Sequence, residues 1–385
     1  MQVSSIFSPP KELQAFPVDD CLLVIFPGKP GLLLLNPISR FVWDMLREGI
    51  AKVDVVAALS AQFNIDQSTI TNDIDTLLAG WQASFSSPSE AGSPIANKAA
   101  TNVEPAPLTA NVTRAYHYTI HGRQFRFLIS DLELEEEIRH RFASFEASAS
   151  NGTAISVIEL RRGEEGFVIS TAERQRREEA VTHARIGLIQ EVLALCFPER
   201  KFIAALHAAA VTRGNRGLLL SAPTGGGKST LTAALSASGY DVLTDDLAFL
   251  DRASLEISTI SLAIMLRSGS WPLLRRLLPN LDSLPVSHRF GELVRFLPAA
   301  GNNLAPACRP RALVFLEFLP GAGCALTPVP AFEALVRLNG TRSWIDTEPP
   351  SVRRFLEWIK EIPRWNLKYS SLPDAIAAIR RLDCD

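Results

Sequence analysis

The sequence lacks paired cysteines, a surplus of charge of one sign and long apolar runs, and each absence excludes a class of protein. Its five cysteines are odd in number and none is in a C-x-x-C pair, which argues against a disulfide framework or a zinc site. The net charge of −2 is unlike the basic surplus of most nucleic-acid-binding proteins. No apolar run approaches the roughly 20 residues of a transmembrane helix, and no basic segment followed by an apolar one marks a secretion signal. We therefore expect a cytoplasmic protein without nucleic-acid or membrane partners.

A stretch with no aromatic residue divides the 385-residue chain. Residues 86–113 are rich in Ser, Pro, Ala, Asn and Thr, a composition typical of a flexible linker. We predict an N-terminal domain at 1–85, the linker at 86–113, an α+β lead-in subregion at 114–200 and a C-terminal domain at 201–385. A free linker of this length has an r.m.s. span of roughly 30 Å.

The N-terminal domain has the pattern of a small α+β winged-helix unit. Two short apolar runs, Cys21–Phe26 and Leu32–Leu35, are joined by a Pro-Gly turn and predict a hairpin. Asn36 is a typical N-cap residue and Pro37 suits the first position of a helix, so a helix is expected to begin there. The spacing of apolar residues predicts two further helices, at 53–63 and 66–81.

This N-terminal pattern resembles the PqqD-like family of peptide-recognition domains. The resemblance lies in the strand that ends at Leu35–Pro37, in Trp43 and in the two following helices. It implies binding of a ribosomally made precursor peptide against the strand edge and the third helix, by β-strand addition. A winged helix that binds DNA, or one that only packs on the rest of the chain, is the alternative. The third helix carries three aspartates and no Lys or Arg, which disfavours contact with a phosphate backbone.

The rest of the chain has mixed strand and helix patterns. In the lead-in subregion we predict a hairpin of 116–120 with 124–129, strands at 153–160 and 166–170, and helices at 133–145 and 173–197. Beyond the glycine-rich loop we predict a strand at 311–318 and helices at 273–278, 332–338, 352–359 and 373–381.

A glycine-rich loop, Ala222–Ser229 (APTGGGKS), lies between a predicted strand at 218–221 and a predicted helix at 230–238. Its three glycines let successive backbone N–H groups turn around a phosphate, which the positive end of the helix also attracts. In such loops the lysine, here Lys228, contacts the β- and γ-phosphates, and the hydroxyl that follows, here of Ser229, binds Mg²⁺. The alternative is a glycine turn before an ordinary helix. The predicted cofactors are ATP and Mg²⁺, and the predicted nucleotide contacts are Thr224, Gly225, Gly226, Gly227, Lys228, Ser229 and Thr230.

Two acids, Asp245 and Asp246, end the next predicted strand, 17 residues after Lys228. Carboxylates at that place can hold Mg²⁺ or accept a proton from a nucleophile, and the alternative is that one of them only caps a turn. His207 precedes the strand of the loop. A lone histidine is more often a buried core residue than a functional one.

Taken together, His207, the glycine-rich loop and the Asp pair resemble the HPr kinase/phosphorylase family at this spacing. The resemblance implies an α/β P-loop kinase body of the HPr kinase/PEP carboxykinase-like type. It implies that Asp245 is the general base for a Ser or Thr hydroxyl and that Asp246 lies near Mg²⁺ with Ser229. It also implies a catalytic Lys228, His207 beside the phosphates, and a homo-oligomer.

The sequence departs from that family at three places. Ala208 follows His207 where the family has Gly, Thr224 stands where it usually has Ser, and the downstream E-I-R-G-type segment of the bifunctional enzymes is missing. Arg267, near the place of that segment, is either a phosphate contact or a surface charge. These departures point to the HPr kinase-related branch, which includes kinases of peptide-modifying gene clusters.

The sequence therefore predicts an ATP-dependent Ser/Thr kinase acting on a precursor peptide that the N-terminal domain holds. The free linker would present the peptide at an effective concentration on the order of mM. Two other functions stay open: a kinase for a small hydroxylated molecule, and a nucleotide-switched peptide chaperone without phosphoryl transfer.

Overall fold

The computed structural model describes residues 12–27, 31–86, 114–148, 155–214, 216–289, 291–299, 307–341 and 343–382. The interpretation of 86–113 as a linker falls outside these residues, except at Ser86, where a helix ends. The four cysteines that are described are free thiols. Within the described ranges, no helix combines the length and the apolar character needed to cross a membrane.

The N-terminal unit is an antiparallel sheet of three strands followed by three helices. The elements are β1 (Gln14–Val18), β2 (Cys21–Ile25), β3 (Leu32–Leu35), α1 (Pro37–Arg47), α2 (Lys52–Phe63) and α3 (Gln67–Ser86). The β2–β3 hairpin and all three helices confirm the prediction, and Asn36 Oδ1 caps α1 by accepting the Ser39 N–H at 2.8 Å. Strand β1 was not predicted. It contains Pro17 and lies at an edge of the sheet, where a residue without an N–H is tolerated.

The second unit is a five-stranded sheet with two helices. Across the sheet the strands are β4 (Arg114–Ile120), β5 (Arg123–Ile129), β6 (Ser156–Arg162), β7 (Phe167–Ser170) and β8 (Gln175–Glu178), and the helices are α4 (Leu132–Phe142) and α5 (Val181–Cys196). The predicted hairpin is confirmed, but the helix predicted over 173–197 is wrong in its first part. Residues 175–178 pair with β7 instead, because this charged run has no apolar repeat to hold a helix and a sheet edge is available.

The third unit is built from three further sheets. Its strands are β9 (Phe202–Leu206), β10 (Ala208–Arg213), β11 (Arg216–Ser221), β12 (Asp241–Thr244), β13 (Ala248–Asp251), β14 (Ile257–Ser258), β15 (Ile264–Arg267), β16 (Val286–Arg289), β17 (Glu292–Leu297), β18 (Ala307–Cys308), β19 (Pro310–Phe318), β20 (Ala325–Pro328), β21 (Trp344–Ile345) and β22 (Arg364–Tyr369). Its helices are α6 (Lys228–Ala237), α7 (Trp271–Leu274), α8 (Ala331–Gly340), α9 (Pro349–Glu361) and α10 (Leu372–Leu382). The predicted strand at 311–318 and the last three helices are confirmed, whereas the helix predicted at 273–278 is only the single turn α7.

The largest sheet has the strand order β12-β10-β11-β19-β22-β20, and its central strands β11, β19 and β22 are parallel. Apolar clusters cover both faces: Leu219 belongs to the cluster that includes α8 and α9, and Leu218 and Leu220 belong to the one that includes α6 and α10. A continuous buried run such as β11 is typical of a parallel strand covered on both sides. The carboxyl ends of these strands meet at one edge, which is where open α/β sheets bind ligands.

The N-terminal sheet is buried between its own helices and the third unit. Leu23 and Ile25 of β2 belong to the same buried cluster as Phe355 of α9. The Asp19 carboxylate, in the β1–β2 turn, accepts the N–H of Phe332 at the start of α8 with a separation of 3.2 Å. The N-terminal unit is therefore docked, and the effective concentration expected for a freely tethered domain does not apply.

Candidate active site

The glycine-rich loop connects the end of β11 to the start of α6, as predicted. Gly225 and Gly227 have φ angles of +81° and +83°, a region that L residues rarely adopt. A Cβ at Gly226 would lie 2.9 Å from the Cβ of Ala222, and a Cβ at Gly227 would lie 3.0 Å from the hydroxyl of Tyr369. At each of these positions a larger residue would be disfavoured by the backbone conformation or by a close neighbour. The loop therefore packs tightly at the N-terminus of α6. The ten-residue helix α6 directs its positive end into this loop.

Lys228 and Ser229, the first residues of α6, contact Asp245. The Lys228 ammonium donates to the backbone carbonyl of Asp245, and the Ser229 hydroxyl donates to Asp245 Oδ2 at 3.1 Å. Asp245 is 3% exposed, and its Oδ1 has no hydrogen-bond partner among the described residues. Burial raises the pKa of this carboxyl, while the nearby Lys228 charge acts in the opposite direction.

An unpartnered buried carboxylate oxygen beside the loop serine fits a hard divalent cation. Carboxylate and hydroxyl oxygens are ligands that Mg²⁺ prefers, and Ser229 and Asp245 provide one of each. The sequence-based prediction placed Asp246 at the metal and Asp245 at the acceptor hydroxyl, whereas the structure places Asp245 next to Ser229. The two acids follow the end of β12 at Thr244, and their contacts show that Asp245, not Asp246, faces α6.

Asp246 lies on the other side, among cations. Its carboxylate contacts the Arg185 guanidinium, lies 3.3 Å from His207 Nε2 and lies 3.9 Å from Arg141 Nη1. Burial favours a higher pKa for Asp246, but the Arg185 charge, the His207 hydrogen bond and the more distant Lys228 and Arg141 charges hold it well below its usual range. The two neighbouring carboxyls therefore have opposite pKa shifts.

His207 joins Asp246 to the end of α8. Its Nδ1 lies 3.0 Å from the backbone carbonyl oxygen of Thr341, directly after α8, and its backbone N–H donates to Ser343 Oγ at 3.0 Å. A backbone carbonyl and a carboxylate thus flank the ring of His207. His207 belongs to the site and is not an isolated core histidine.

Two buried arginines of the second unit reach the same place. Arg141 of α4 donates from Nε to Glu137 Oε1 at 2.6 Å, and Arg185 of α5 lies 3.3 Å from the same oxygen. The far oxygen of Glu137 lies 3.4 Å from Arg289 Nε. Burial acts to raise the pKa of Glu137, but these arginines leave it lowered. Glu137 is thus an anion that fixes the guanidinium groups around Asp246.

The loop, the Asp pair, His207, Arg141 and Arg185 line one cavity of about 670 Å³, a volume typical of small-molecule and cofactor sites. Every predicted site residue lines it: His207, Thr224, Gly225, Gly226, Gly227, Lys228, Ser229, Thr230, Asp245 and Asp246. Arg267 also lines it, although its guanidinium pairs with the exposed Glu292 at 3.3 Å. Aromatic and apolar side chains form another part of the wall: Leu273, Phe318, Tyr369 and Leu372.

Sequence reasoning missed Arg141, Arg185 and the apolar wall. One signal was present for Arg141, which follows Leu134 and Ile138 at helical spacing and so falls on the buried face of α4. A charge on such a face needs a partner or a function. The wall residues Phe318 and Tyr369 end β19 and β22, and only the parallel pairing of these strands with β11 brings them to the loop.

The described residues contain no cluster of three or more His, Cys, Asp or Glu side chains that could hold a metal ion.

Comparison with known proteins identifies the N-terminal unit. Residues 21–84 match the family model described as coenzyme PQQ synthesis protein D (PqqD), which confirms the resemblance predicted for this part of the chain. No curated protein matches the chain. The match covers β2 to α3, so the function of the cavity has to be inferred from its own residues.

Proposed function

We propose that this protein is an ATP-dependent kinase, with a body related to the HPr kinases. It would transfer a phosphoryl group to a Ser or Thr hydroxyl of a ribosomally synthesised precursor peptide that the N-terminal unit binds. The observation that carries the proposal is the convergence of Lys228, the Ser229–Asp245 contact and the anionic Asp246 in one cavity at the end of a parallel sheet. A loop that only binds nucleotide would have less need for two buried acids of opposite pKa shift.

Different residues of the cavity would bind different parts of the nucleotide and its metal ion. The backbone N–H groups of the loop and the Lys228 ammonium would bind the β- and γ-phosphates, and the apolar wall at Phe318 and Tyr369 would receive the nucleobase. Ser229 and Asp245 would hold Mg²⁺. When bound, this ion neutralises charge on the phosphate oxygens.

Asp246 is then the group that faces the acceptor hydroxyl, the reverse of the assignment made from sequence. In the transfer, the hydroxyl oxygen forms a bond to phosphorus, the bond from phosphorus to the ADP oxygen breaks, and the hydroxyl proton passes to Asp246. An acid with a low pKa is a weak base, but phosphoryl transfer has a loose transition state in which the hydroxyl needs orientation more than early deprotonation. His207 and Arg185 would keep the Asp246 carboxylate in place.

The N-terminal unit supports a peptide as the substrate. It matches PqqD, and the order β1-β2-β3 leaves β3 with a single neighbour among the described strands. The outer edge of β3 would pair with an extended leader peptide through main-chain hydrogen bonds. Among its described residues, α3 has no Lys or Arg, which supports a peptide ligand over DNA.

The decisive test is phosphoryl transfer from γ-labelled ATP to candidate precursor peptides encoded near this gene. We expect label on a peptide Ser or Thr, and its loss in Lys228→Ala, Asp245→Asn and Asp246→Asn. Removing the leader from the peptide should raise KM at least tenfold with little change in kcat, because the leader supplies binding alone. Equal KM values with and without the leader would refute the capture role and favour a small-molecule kinase. Peptide binding without transfer would favour the nucleotide-switched chaperone.

A further inference from the structure

Arg141 has one guanidinium nitrogen, Nη1, that finds no hydrogen-bond partner among the residues that the structure describes. Its side chain is 4% exposed, Nε donates to Glu137 Oε1, and Nη2 lies 3.9 Å from the sulfur of Met265. Nη1 has no hydrogen-bond partner among the described residues, and the residue lines the nucleotide cavity. A buried guanidinium nitrogen without an acceptor is destabilising unless another group supplies one.

The surroundings of Arg141 show which kind of group is missing. The nearest acid on the cavity side is Asp246, whose Oδ2 is 3.9 Å from Nη1, beyond hydrogen-bond distance. That carboxylate is already bound by Arg185 and by His207. The missing partner is therefore a further oxyanion, and it belongs on the side of the cavity where Lys228 and Asp246 lie.

We propose that Arg141 is a catalytic residue that binds the transferred phosphoryl group, with Glu137 and Arg185 as its positioning residues. This inference rests on the proposed kinase function and deepens it. During transfer, negative charge is spread over the three oxygens that stay on phosphorus, and a guanidinium supplied in cis stabilises that charge without taking part in bond making or breaking. Arg suits this role better than Lys, because its planar fork can hold Glu137 and an oxyanion at the same time.

The division of roles between the two arginines follows from their contacts. Arg185 contacts Glu137 and the Asp246 carboxylate, so it has a protein partner on both sides. Arg141 shares Glu137, which aligns its guanidinium, and keeps Nη1 for the ligand. The proposal makes the second unit, residues 114–200, part of the catalytic apparatus. The packing of the second unit supports this role. Leu247, which follows Asp246, lies in the same buried apolar cluster as residues of the five-stranded sheet of that unit.

The test compares Arg141→Lys with Arg139→Lys, a matched control on the exposed face of the same helix. The probes are ADP with Mg²⁺, and ADP with Mg²⁺ and aluminium fluoride. Aluminium fluoride mimics the phosphoryl group in the transition state of transfer. We expect both variants to bind ADP within about twofold of the unmodified protein, since ADP lacks the transferred group. We expect Arg141→Lys to weaken the aluminium fluoride complex and to lower kcat by roughly 10²–10³-fold, the loss typical of one such donor. Arg139→Lys should change neither.

A second variant keeps the proposal testable where Arg141→Lys does not fold. Arg141→Ala leaves a space that free guanidinium fits, and added guanidinium at millimolar concentration should restore part of the lost rate. An Arg141→Lys protein that binds the aluminium fluoride complex normally overturns the inference while leaving the kinase proposal intact. Parallel losses in ADP affinity and thermal stability, without rescue by guanidinium, show a structural role and also overturn it. Absence of ADP binding by the unmodified protein refutes the kinase proposal and the inference with it.

Discussion

The two neighbouring acids should respond to the same isosteric change with opposite effects on stability. Asp245 is buried with an unpartnered oxygen and a raised pKa, so its charged form is disfavoured in the folded protein. Asp246 is an anion surrounded by Arg185, His207 and Arg141 and has a lowered pKa. Replacing Asp245 with Asn removes a buried charge that Lys228 compensates only in part, whereas replacing Asp246 with Asn removes the partner of buried cations. Without nucleotide, the first change should stabilise the protein and the second should destabilise it.

The magnitudes follow from the contacts. Burying a polar group without a partner costs about 1–3 kcal/mol, and more where the group is charged. The neutral amide of Asp245→Asn still bears the first cost but avoids that of the charge, and we expect it to gain about 1–3 kcal/mol at pH 7.5. Removing one partner of a buried ion pair costs roughly 3–5 kcal/mol, and Asp246 should fall near the lower end because 18% of its side chain is exposed. For a chain of this length 1 kcal/mol corresponds to roughly 1 °C in Tm. The expected shifts are about +1 to +3 °C for Asp245→Asn and about −3 °C for Asp246→Asn.

The dependence of these shifts on pH has a definite sign. Because the folded-state pKa of Asp245 is raised, its contribution to stability is present below the unfolded-state pKa of about 4 and is lost as the pH rises through the folded-state value. The advantage of Asp245→Asn should therefore shrink as the pH is lowered. The contribution of Asp246 is present above about pH 4 and is lost only as the pH falls through its lowered folded-state pKa, so the deficit of Asp246→Asn should persist into mild acid.

Thermal unfolding in EDTA, repeated with ATP and Mg²⁺, measures these effects. Binding of the nucleotide and metal should stabilise the unmodified protein more than Asp245→Asn, because the bound cation places a positive charge beside the Asp245 carboxylate. The unmodified protein should then have the higher Tm of the two. Both variants should lose phosphoryl transfer. If Asp245→Asn destabilised the protein as much as Asp246→Asn, the assignment of Asp245 as a metal-side carboxylate whose charge is disfavoured by burial would be refuted.

Three further changes test the loop, the apolar wall and the docking of the N-terminal unit. Gly227→Ala should destabilise the protein by about 1 kcal/mol more than Gly239→Ala. Both positions have positive φ, but only the first Cβ would meet a neighbour, the Tyr369 hydroxyl. Thermal unfolding measures the difference, and equal shifts would refute the steric account. Phe318→Ala should weaken ATP binding by roughly fivefold in a fluorescence titration and leave inorganic triphosphate affinity unchanged, since stacking contributes about 1 kcal/mol. Equal losses for both ligands would refute the nucleobase assignment. Phe16→Ala should lower the free energy of unfolding in urea by about 3 kcal/mol, because Phe16 lies in a buried cluster shared with the third unit. A separate early unfolding transition of the N-terminal unit in the unmodified protein would refute this shared core.

The parts of the site that could be predicted are those that a short stretch of sequence encodes. The glycine-rich loop is local, because three glycines between an apolar strand and a helix leave few conformations other than a phosphate cradle. Asp245 and Asp246 were found for the same reason, since they directly follow a buried strand near that loop. The N-terminal hairpin and helices have strong apolar periods and capping residues, and these determine local structure without help from the rest of the chain.

The parts that could not be predicted depend on contacts between distant segments. Residues 175–178 are a strand because a sheet edge pairs with them. Arg141 joins the site because α4 packs against the third unit, 104 residues before Asp245 along the chain. The roles of the two acids depend on which one faces α6, and that is decided by the direction of each side chain at the end of β12. Neither composition nor spacing contains this information.

The docking of the N-terminal unit changes how a peptide should reach the cavity. A freely tethered domain could move until the distance to the cavity suits the bound peptide. The rate would then vary gradually with the length of peptide between leader and acceptor hydroxyl. A docked unit fixes the distance from the edge of β3 to Asp246, and an extended peptide covers at most about 3.6 Å per residue. Transfer should therefore stay at the leaderless rate until the spacer reaches a threshold length, and then fall slowly as it grows longer. A series of peptides with Gly-Ser insertions and deletions measures this, and a smooth dependence without a threshold would show that the unit leaves its docked position during catalysis.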